Sequence, residues 1–523
     1  MWLSLQGNTL YMTVKSFFKE NTLLVGLALI KLLIHFTTNT GYGFHRDEFL
    51  YLDESRHLGW GFLEVPPLTP LIGRIVTALF GDSLFAVRLF PALAGAAMVI
   101  LIGLMVKEMG GKKWAILLAC AAYILSPSFL RSGTLFQPVC FDQFWWFLSA
   151  FLLVKAVRRD DRKYWVGLGI AAGLGWMNKY AIAFWIFSLF IGLLISPGRR
   201  VLLSKNPLIA FGIALGIALP NLFWQYSYRF PVVHHMTDLA ATQLVHVEPT
   251  GFLMSQLLMQ FAGFLVWIPG VIWLLAARSG RDFRYLGYGY LILLALLLFL
   301  SGKDYYALGA YPALMAAGGV AVEQWTSGRM AFLRYAILLL VVGLDLTALP
   351  MGVPILSIER MEKYCDRLAK YGVEQRWEDG RLYPVPQDYA DMQGWEEMAA
   401  NVSKKYHALS RDQQSTCLIY GGGYHHAGAL NYYRKKYDLP EAYSMNSSYL
   451  LWIPDHIHFD NMILLDNVWE DSSAYFSYHE FIDSTHHPYA RDNGYVFYRS
   501  QPKVNADSVI ANLIRREREK IGH

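Results

Sequence analysis

Long apolar stretches separated by short charged segments fill the first two thirds of the chain. Most run for roughly 18–22 residues, enough for a helix to cross about 30 Å of hydrocarbon. The pattern predicts a polytopic α-helical membrane protein with about 11 transmembrane helices. The predicted spans are 22–40, 84–106, 114–131, 138–157, 164–178, 180–197, 206–225, 253–277, 285–301, 306–323 and 331–350.

The pattern changes after residue 350, where charged residues, prolines, tyrosines and histidines become frequent. No later apolar run is long enough to span a bilayer. The segments STCLIYGG, NMILLD and YVFYRS are typical of strands, and 358–371 and 394–408 of helices. We therefore expect a transmembrane domain over 1–350, with a first outer loop at 41–83, followed by a soluble α/β domain over 351–523.

The connecting segments predict the orientation. Five basic segments fall between alternate pairs of spans and therefore belong to one face: KEMGGKK, VRRDDRK, PGRRVLLSK, ARSGRDFR and GRMAFLR. The positive-inside rule makes that face cytoplasmic. We expect a cytoplasmic N-terminus and a C-terminal domain outside the cytoplasmic membrane. Because these segments explain the net charge of +5, that charge does not indicate nucleic-acid binding.

The densest charged segment is HRDEFLYLDESRHLGWGFLEVPPLTP, residues 45–70, directly after the first span. Charges this dense are costly in lipid, so the segment is expected at the membrane surface or in an aqueous cavity. Its carboxylates suit a general base, a metal site or a cation site; the alternative is a salt-bridge cluster that fixes the loop. They belong to Asp47, Glu48, Asp53, Glu54 and Glu64.

Three further charged residues are predicted on the same outer face. Asp142 lies near the start of the fourth span, where its simplest role is charge compensation at a helix N-terminus. Lys179 and Lys303 lie at turns between apolar helices, where a lysine needs an anionic partner. The phosphate of a lipid carrier is suitable, and snorkelling to the headgroups is the alternative. A carboxylate base with phosphate-binding lysines suits group transfer from a phospholipid-linked donor.

An ordered set of segments resembles a known family: YGFHRDEFLYLDESRHLGWGFLEVPPLTPLIGRI, FGDSLFAVRLFPALAGA, GLGWMNKYA, LPNLFWQ and GKDYYALGAYPAL. Together they are similar to the bacterial glycosyltransferases of family 39. This membrane-embedded GT-C class includes protein O-mannosyltransferases and lipid A aminoarabinose transferases. The resemblance covers residues 20–350 and continues weakly into GGGYHHAGALNYYRKKYDLPEAYSMNSSYLLW. It implies a GT-C fold and sugar transfer from an undecaprenyl-phosphate donor to a lipid, glycan or protein acceptor on the extracytoplasmic side of a bacterial inner membrane.

The resemblance also implies roles for individual residues. Asp47 would be the catalytic base that deprotonates or orients the acceptor during an inverting attack on the anomeric carbon, with Glu48 as its acidic neighbour. Asp142 falls where relatives often carry a second acidic residue. Lys179 and Lys303 match basic positions that are expected to hold the donor phosphate.

The position before the Pro-Pro pair departs from the family's pattern. Relatives commonly carry lysine or histidine there, but this chain has Val65. We therefore predict a donor-phosphate contact from Arg56 instead, with His57 or Arg74 as alternatives. His57 and Glu64 are also candidates for acceptor or loop contacts, because substrate choice is expected to have diverged at this position.

Two histidine-rich segments have simpler interpretations than catalysis. His234, His235 and Asp238 have a spacing compatible with metal ligands, but we favour an acceptor-binding loop with ordinary polar residues. GGGYHHAGAL lacks the lysine and serine or threonine of a phosphate-binding P-loop, so it predicts a strand-to-helix turn or a sugar-contacting loop. The cofactor requirement stays open, since a divalent metal is compatible with the sequence but not required by it.

The main alternative function is a polytopic transporter or lipid flippase for a phospholipid-linked or anionic substrate. Such a protein is expected to carry charged residues near mid-span and often contains an internal repeat. Here the charged residues cluster at one face, and the two halves show no convincing repeat. We therefore favour an enzyme.

Overall fold

A computed structural model describes residues 16–242, 244, 248–468, 475–503 and 506–521. Its contacts divide the chain into two compact units. The first unit comprises residues 1–39, 88–218 and 247–353, and the second comprises 40–87, 219–246 and 354–523. The predicted first outer loop thus belongs to the same unit as the C-terminal residues, while a domain boundary at residue 350 stays a prediction.

The first unit consists of apolar helices packed around a common core. Tyr311–Trp325 is buried along nearly its whole length, as expected for a helix that is apolar on every side. Trp146 and Trp185 stack in the same core, with ring centroids 5.6 Å apart. The helices are Thr22–Thr38, Leu89–Glu108, Lys113–Leu125, Pro127–Thr134, Pro138–Arg159, Arg162–Asn178, Ile182–Leu194, Pro197–Leu203, Pro249–Leu258, Phe264–Ala276, Arg284–Phe299, Asp304–Ala310, Tyr311–Trp325 and Phe332–Gly352, and Asn206–Ser227 runs across both units.

The predicted membrane architecture is confirmed. In the part of the chain that the structure describes, 6 helices are long and apolar enough to cross a membrane, or up to 9 if each bent pair of helices forms one span. The two remaining predicted spans coincide with Thr22–Thr38 and Arg162–Asn178, each of 17 residues. Helices of this length extend about 25 Å, slightly less than the hydrocarbon core.

A buried lysine stabilises one of the bent spans. Lys113–Leu125 and Pro127–Thr134 meet at 60°, and such a break releases backbone carbonyls from helical pairing. The Lys31 ammonium lies 3.0 Å from the Phe129 carbonyl oxygen and 3.5 Å from that of Ile124. Ile124 lies in the last turn of the first helix, where the helix dipole favours a positively polarised group, whereas Phe129 lies in the first turn of the second helix. The Lys31 amino group thus contacts the backbone on both sides of the bend, which explains why it is buried there.

A buried aspartate stabilises a second bent span, in which Pro249–Leu258 and Phe261–Ala276 meet at 91°. Asp345 accepts a hydrogen bond of 3.0 Å from the Ala262 N–H, at the N-terminal end of the second helix, where an anion is favourable. Gln260, inside the bend, accepts a hydrogen bond of 3.0 Å from the Ser126 hydroxyl. The two bends thus have a donor, Lys31, and an acceptor, Asp345, as partners for their backbone groups, which matters where lipid offers no hydrogen bonds.

The segment 41–83, predicted as the first outer loop, is largely helical, which its dense charge did not predict. It contains Arg46–Arg56, hereafter the loop helix, and Leu68–Phe80, followed by the short Leu84–Val87. A capping box begins the loop helix: the His45 side chain accepts from the Asp47 N–H, and the Glu48 carboxylate accepts from the His45 N–H. The helix Pro231–Thr242 also belongs to the second unit.

The C-terminal part of the second unit is an α/β fold, as predicted. Its strands are β1 (Gln375–Arg376), β2 (Leu382–Tyr383), β3 (Cys417–Gly421), β4 (Ala442–Tyr443), β5 (Asn461–Asp466), β6 (Phe476–Thr485) and β7 (Gly494–Pro502). β1 and β2 pair with each other, and the others form a sheet of order β4-β3-β5-β7-β6. β3 is parallel to β4 and β5, whereas β7 is antiparallel to β5 and β6.

The three strands predicted from the sequence match β3, β5 and β7, and the two predicted helices match Ile358–Ala369 and Trp395–Ala408. β6 was not predicted, because it is an edge strand with a largely polar sequence. The glycine-rich turn after β3 leads into Tyr424–Tyr437, hereafter the tail helix, so the predicted strand-to-helix turn is confirmed. The remaining helices are Gln387–Ala390, Arg411–Ser415, Ser447–Leu451 and Ala506–Lys520.

Candidate active site

The two acidic residues at the start of the loop helix have different environments. Glu48 is fully buried, and its Oε2 accepts a hydrogen bond of 2.8 Å from the His45 N–H. The Asp47 side chain, by contrast, is 33% exposed. Of this pair, Asp47 is therefore the carboxylate that a substrate can reach, and Glu48 shapes the helix that presents it.

A tyrosine from the tail helix contacts Asp47. The Tyr424 hydroxyl donates to Asp47 Oδ1 over 2.6 Å, across 377 residues of sequence. Burial and the nearby Asp47 carboxylate raise the pKa of Tyr424 well above its usual value, so the phenol stays protonated and donates. Tyr424 was missed in the sequence, where only the turn that precedes it gave a signal.

The tail helix packs along the loop helix through one face. Tyr424, Gly428 and Asn431 follow the i, i+4, i+7 spacing of that face. A Cβ atom at Gly428 would lie 2.7 Å from the Phe49 Cβ, so glycine permits the close approach of the two helices. Three residues further on, Asn431 donates to Asp53 Oδ2 over 3.0 Å. This packing brings Tyr424 within reach of the start of the loop helix.

Asp53 is the centre of a buried hydrogen-bond cluster. Besides Asn431, its carboxylate accepts from the Tyr449 hydroxyl and pairs with the Arg56 guanidinium one turn along the loop helix. Arg56, the predicted donor-phosphate contact, is 36% exposed. Because it pairs with Asp53, its guanidinium already has an anionic partner within the protein. Its assignment to the donor stays a prediction.

Glu54 and Glu64 form a carboxyl pair. Glu54 is fully buried, and burial together with the Glu64 carboxylate raises the pKa of Glu54 well above its usual range. The Ser448 hydroxyl donates to Glu64 Oε2. Glu54 is therefore the group that keeps its proton. The predicted acceptor contact at Glu64 lies beside this buried carboxyl group and is bonded to Ser448, next to the Pro-Pro pair.

The predicted histidine contacts lie in separate places within the second unit. The His57 ring stacks on Trp452, with centroids 4.5 Å apart and planes inclined by 1°. His234 is exposed and His235 half-buried on Pro231–Thr242, while the side chain of Asp238 lies outside the described residues. A metal-binding role for this helix gains no further support from the part of the chain that the structure describes.

Within the described residues, the one group with metal-ligand geometry is His45 with Asp388 and Asp391. His45 Nε2 lies 3.5 Å from Asp391 Oδ2 and 3.8 Å from Asp388 Oδ1. However, guanidinium nitrogens of Arg46 and Arg491 lie 3.9 and 3.3 Å from the same Asp391 carboxylate. Two arginines at one carboxylate oppose a divalent cation. Asp391 fits an ion pair with these arginines that anchors the start of the loop helix better than it fits a metal centre.

The first unit holds its own cluster of predicted site residues. The Lys179 ammonium interacts electrostatically with Asp142 and with Lys303. It lies 4.9 Å from the Tyr306 ring centroid and 5.4 Å from that of Tyr305, and the Lys303 ammonium lies 5.9 Å from the Tyr305 ring centroid. Asp142 is buried, and its Oδ1 has no hydrogen-bond partner among the described residues. The structure thus brings together these three residues from separate predicted spans and turns.

Comparisons with known proteins agree with the sequence segments. The model of the dolichyl-phosphate-mannose-protein mannosyltransferase family matches residues 64–224. The lipid A galacturonosyltransferase RgtD of Rhizobium johnstonii is 29% identical over 205 residues, which cover 38% of this chain and 41% of the relative. The undecaprenyl phosphate-alpha-4-amino-4-deoxy-L-arabinose arabinosyl transferase 2 of Pseudomonas fluorescens is 28% identical over 258 residues, 46% of this chain and 42% of the relative.

The family resemblance is confirmed. The chain matches less than half the length of these two relatives. The fold extends further: the crystal structure of ArnT from Cupriavidus metallidurans bound to undecaprenyl phosphate matches with a TM-score of 0.59 at 14% identity, over 91% of this chain and 98% of that one. The GT-C fold predicted from the sequence is therefore present, including its C-terminal part.

Proposed function

We propose that this protein is an integral-membrane glycosyltransferase that transfers a sugar from a polyprenyl-phosphate donor to a lipid acceptor on the extracytoplasmic side. The observation that carries this proposal is the environment of Asp47. Of the Asp-Glu pair, it is the accessible carboxylate; it lies in the first turn of a capped helix and accepts a hydrogen bond from a tyrosine. A positioned carboxylate of this kind suits a general base.

In the proposed reaction, Asp47 accepts the proton of the acceptor hydroxyl while its oxygen attacks the anomeric carbon of the donor sugar. The bond from that carbon to the phosphate oxygen breaks, the configuration inverts, and the polyprenyl phosphate leaves with the bonding electrons. Lys179 and Lys303 bind the phosphate and stabilise its developing charge, as fixed cations do in phosphate sites. Asp142 is a nearby carboxylate that offsets part of the positive charge of Lys179.

The names of the relatives suggest the substrate class. They act on lipid A or on an undecaprenyl-phosphate-linked aminopentose. We extend this to an undecaprenyl-phosphate-linked sugar as donor and a glycolipid as acceptor, with a glycan or protein acceptor as the alternative. The proposed location is the bacterial inner membrane, with a cytoplasmic N-terminus and a periplasmic C-terminal domain.

Transfer by the purified protein would test the proposal. It would be incubated with lipid A and with undecaprenyl-phosphate-linked 4-amino-4-deoxy-L-arabinose or galacturonic acid, and the products measured by mass spectrometry. Asp47→Asn is expected to lower transfer at least about 100-fold, because it removes the base. Asp379→Asn is a matched control, since Asp379 also accepts a hydrogen bond from a tyrosine, Tyr383, but at an exposed turn.

Full transfer by Asp47→Asn would remove Asp47 from the base role. Absence of transfer with every donor, together with movement of undecaprenyl phosphate across proteoliposomes, would favour the transporter alternative. The orientation has its own test. An engineered cysteine at Leu58, which is 45% exposed in the outer loop, is expected to react with an impermeant reagent added to spheroplasts. Labelling only after permeabilisation would contradict it.

A further inference from the structure

We propose that Tyr424 is a positioning residue, whose hydroxyl holds the Asp47 carboxylate in the orientation needed to accept the acceptor's proton. This inference rests on the proposed function of Asp47 and adds a specific role for the C-terminal domain. The GGGYHHAG segment would then belong to the machinery of transfer and not only to the packing of the domain.

The contact itself is short and charge-assisted. A phenol that donates to a carboxylate over 2.6 Å is among the stronger hydrogen bonds in proteins. The terminal torsion of an aspartate side chain has broad minima, so an isolated carboxylate rotates readily. The bond from Tyr424 to Oδ1 fixes that torsion and with it the direction of Oδ2. Alignment of a reacting group in this way contributes to rate independently of its basicity.

Tyr424 is itself held in place from two sides. Its backbone N–H donates to the Asn446 side chain over 3.3 Å, and the Arg46 guanidinium lies 5.4 Å from its ring centroid. Arg46 Nη2 lies 2.7 Å from His425 Nδ1, and its Nη1 lies 3.5 Å from Asp492 Oδ2. The phenol is therefore presented by a network in which both ends belong to the second unit.

The packing of the two helices supports the same conclusion. Gly428 lies one turn after Tyr424, and Phe49 lies two residues after Asp47. Phe49 packs so closely against Gly428 that no space remains for a methyl group at that position. A helix merely covering the loop helix would not require this approach. Because the helices cannot slide past this point without a clash, the register that pairs Tyr424 with Asp47 is fixed.

The kinetic test compares Tyr424→Phe with Tyr437→Phe in the transfer assay. Tyr437, on the same helix, also donates its hydroxyl to a carboxylate, that of the exposed Glu396. Tyr424→Phe is expected to lower kcat about 10- to 100-fold, as expected for a misaligned reacting group. The KM for the donor should change less than about twofold, because Tyr424 acts through Asp47 and not on the donor. The control should keep both parameters.

A second measurement needs no substrate. It compares how much Tyr424→Phe changes the thermal unfolding midpoint of the otherwise native protein and of the Asp47→Asn variant. Tyr424→Phe should lower the unfolding midpoint more in the otherwise native protein than in Asp47→Asn, whose amide oxygen accepts only a weaker, uncharged hydrogen bond from Tyr424. Equal shifts in both backgrounds would overturn the inference, and so would an unchanged kcat or a rise in KM that parallels the loss of kcat. Full transfer by Asp47→Asn would instead overturn the proposed role of Asp47, and this inference with it.

Discussion

Removing one hydroxyl group from the Asp53 cluster tests whether the C-terminal residues stabilise the loop helix. Tyr449 and Asp53 are both almost completely buried, and the tyrosine hydroxyl donates to the carboxylate. Tyr449→Phe keeps the ring and removes this bond. Asp53 would keep Asn431 and Arg56 as partners, so the carboxylate stays paired and the expected loss is that of a single hydrogen bond.

A hydrogen bond to a charged group contributes about 1.5–3 kcal/mol. Since about 1.4 kcal/mol corresponds to a factor of ten, the loop helix should open roughly 10- to 150-fold more often in Tyr449→Phe. Hydrogen exchange measures this opening directly. Amides of the loop helix should exchange faster by about that factor, whereas amides of Tyr311–Trp325 in the first unit should keep their rates.

Tyr437→Phe is the matched control here as well. Its hydroxyl donates over 3.1 Å to Glu396, a side chain that is 47% exposed, so the lost bond is expected to contribute at most about 1 kcal/mol. The prediction would be refuted if exchange in the loop helix were unchanged in Tyr449→Phe. It would also be refuted if both variants accelerated exchange equally, because burial would then not strengthen the Asp53 bond.

Three further outcomes are expected. Gly428→Ala should lower the unfolding midpoint by an amount equivalent to about 1–3 kcal/mol, because its Cβ would meet Phe49; Gly26→Ala, with nothing within 4 Å, is the control, and equal effects would contradict the packing argument. Burial and a neighbouring glutamate raise the pKa of Glu54, so the folded state keeps a proton that the unfolded chain releases above about pH 4.3. Stability should therefore fall as pH rises from about 5 to 8, and the unfolding midpoint of Glu54→Gln should depend less on pH than that of the native protein. An equal pH dependence of the two midpoints would show that Glu54 holds no such proton. Lys31→Met should lower the midpoint, because two backbone carbonyls lose their hydrogen-bond donor, and a raised midpoint would contradict this role of Lys31.

The sequence predicted those features that depend on local pattern. Membrane spans are long apolar runs, and the buried strands β3 and β5 are short apolar runs bounded by polar residues, so both were identifiable. The loop helix was not, because its charges suggested a solvated loop. One local signal was nevertheless available: His45 and Glu48 have the spacing of a capping box, with histidine in place of the usual serine or threonine.

The roles within the site depend on contacts that no local pattern contains. Adjacent in sequence, Asp47 and Glu48 differ in exposure only because the helix turns one outward and the other inward. Tyr424 reaches Asp47 from 377 residues away, through a register that Gly428 fixes. The sequence predicts Arg56 as a phosphate contact, and only the fold shows that its guanidinium also pairs with Asp53. Three-dimensional neighbours, and not residue type, decide these assignments.

The capped bends of the first unit have a consequence for biosynthesis. Lys31, which caps the bend before Pro127, is made before the helices it serves, whereas Asp345 follows Ala262 by 83 residues. At a translation rate of about 5–20 residues per second, Asp345 is synthesised roughly 4–17 s after Ala262, the residue from whose N–H it accepts a hydrogen bond. During that interval the exposed N–H groups must be satisfied by water or by the insertion machinery. The helix Phe332–Gly352 therefore supplies the partner of the second bend only after the earlier helices have been synthesised. Truncation before Asp345 is expected to leave those helices inserted in the membrane but not packed against one another.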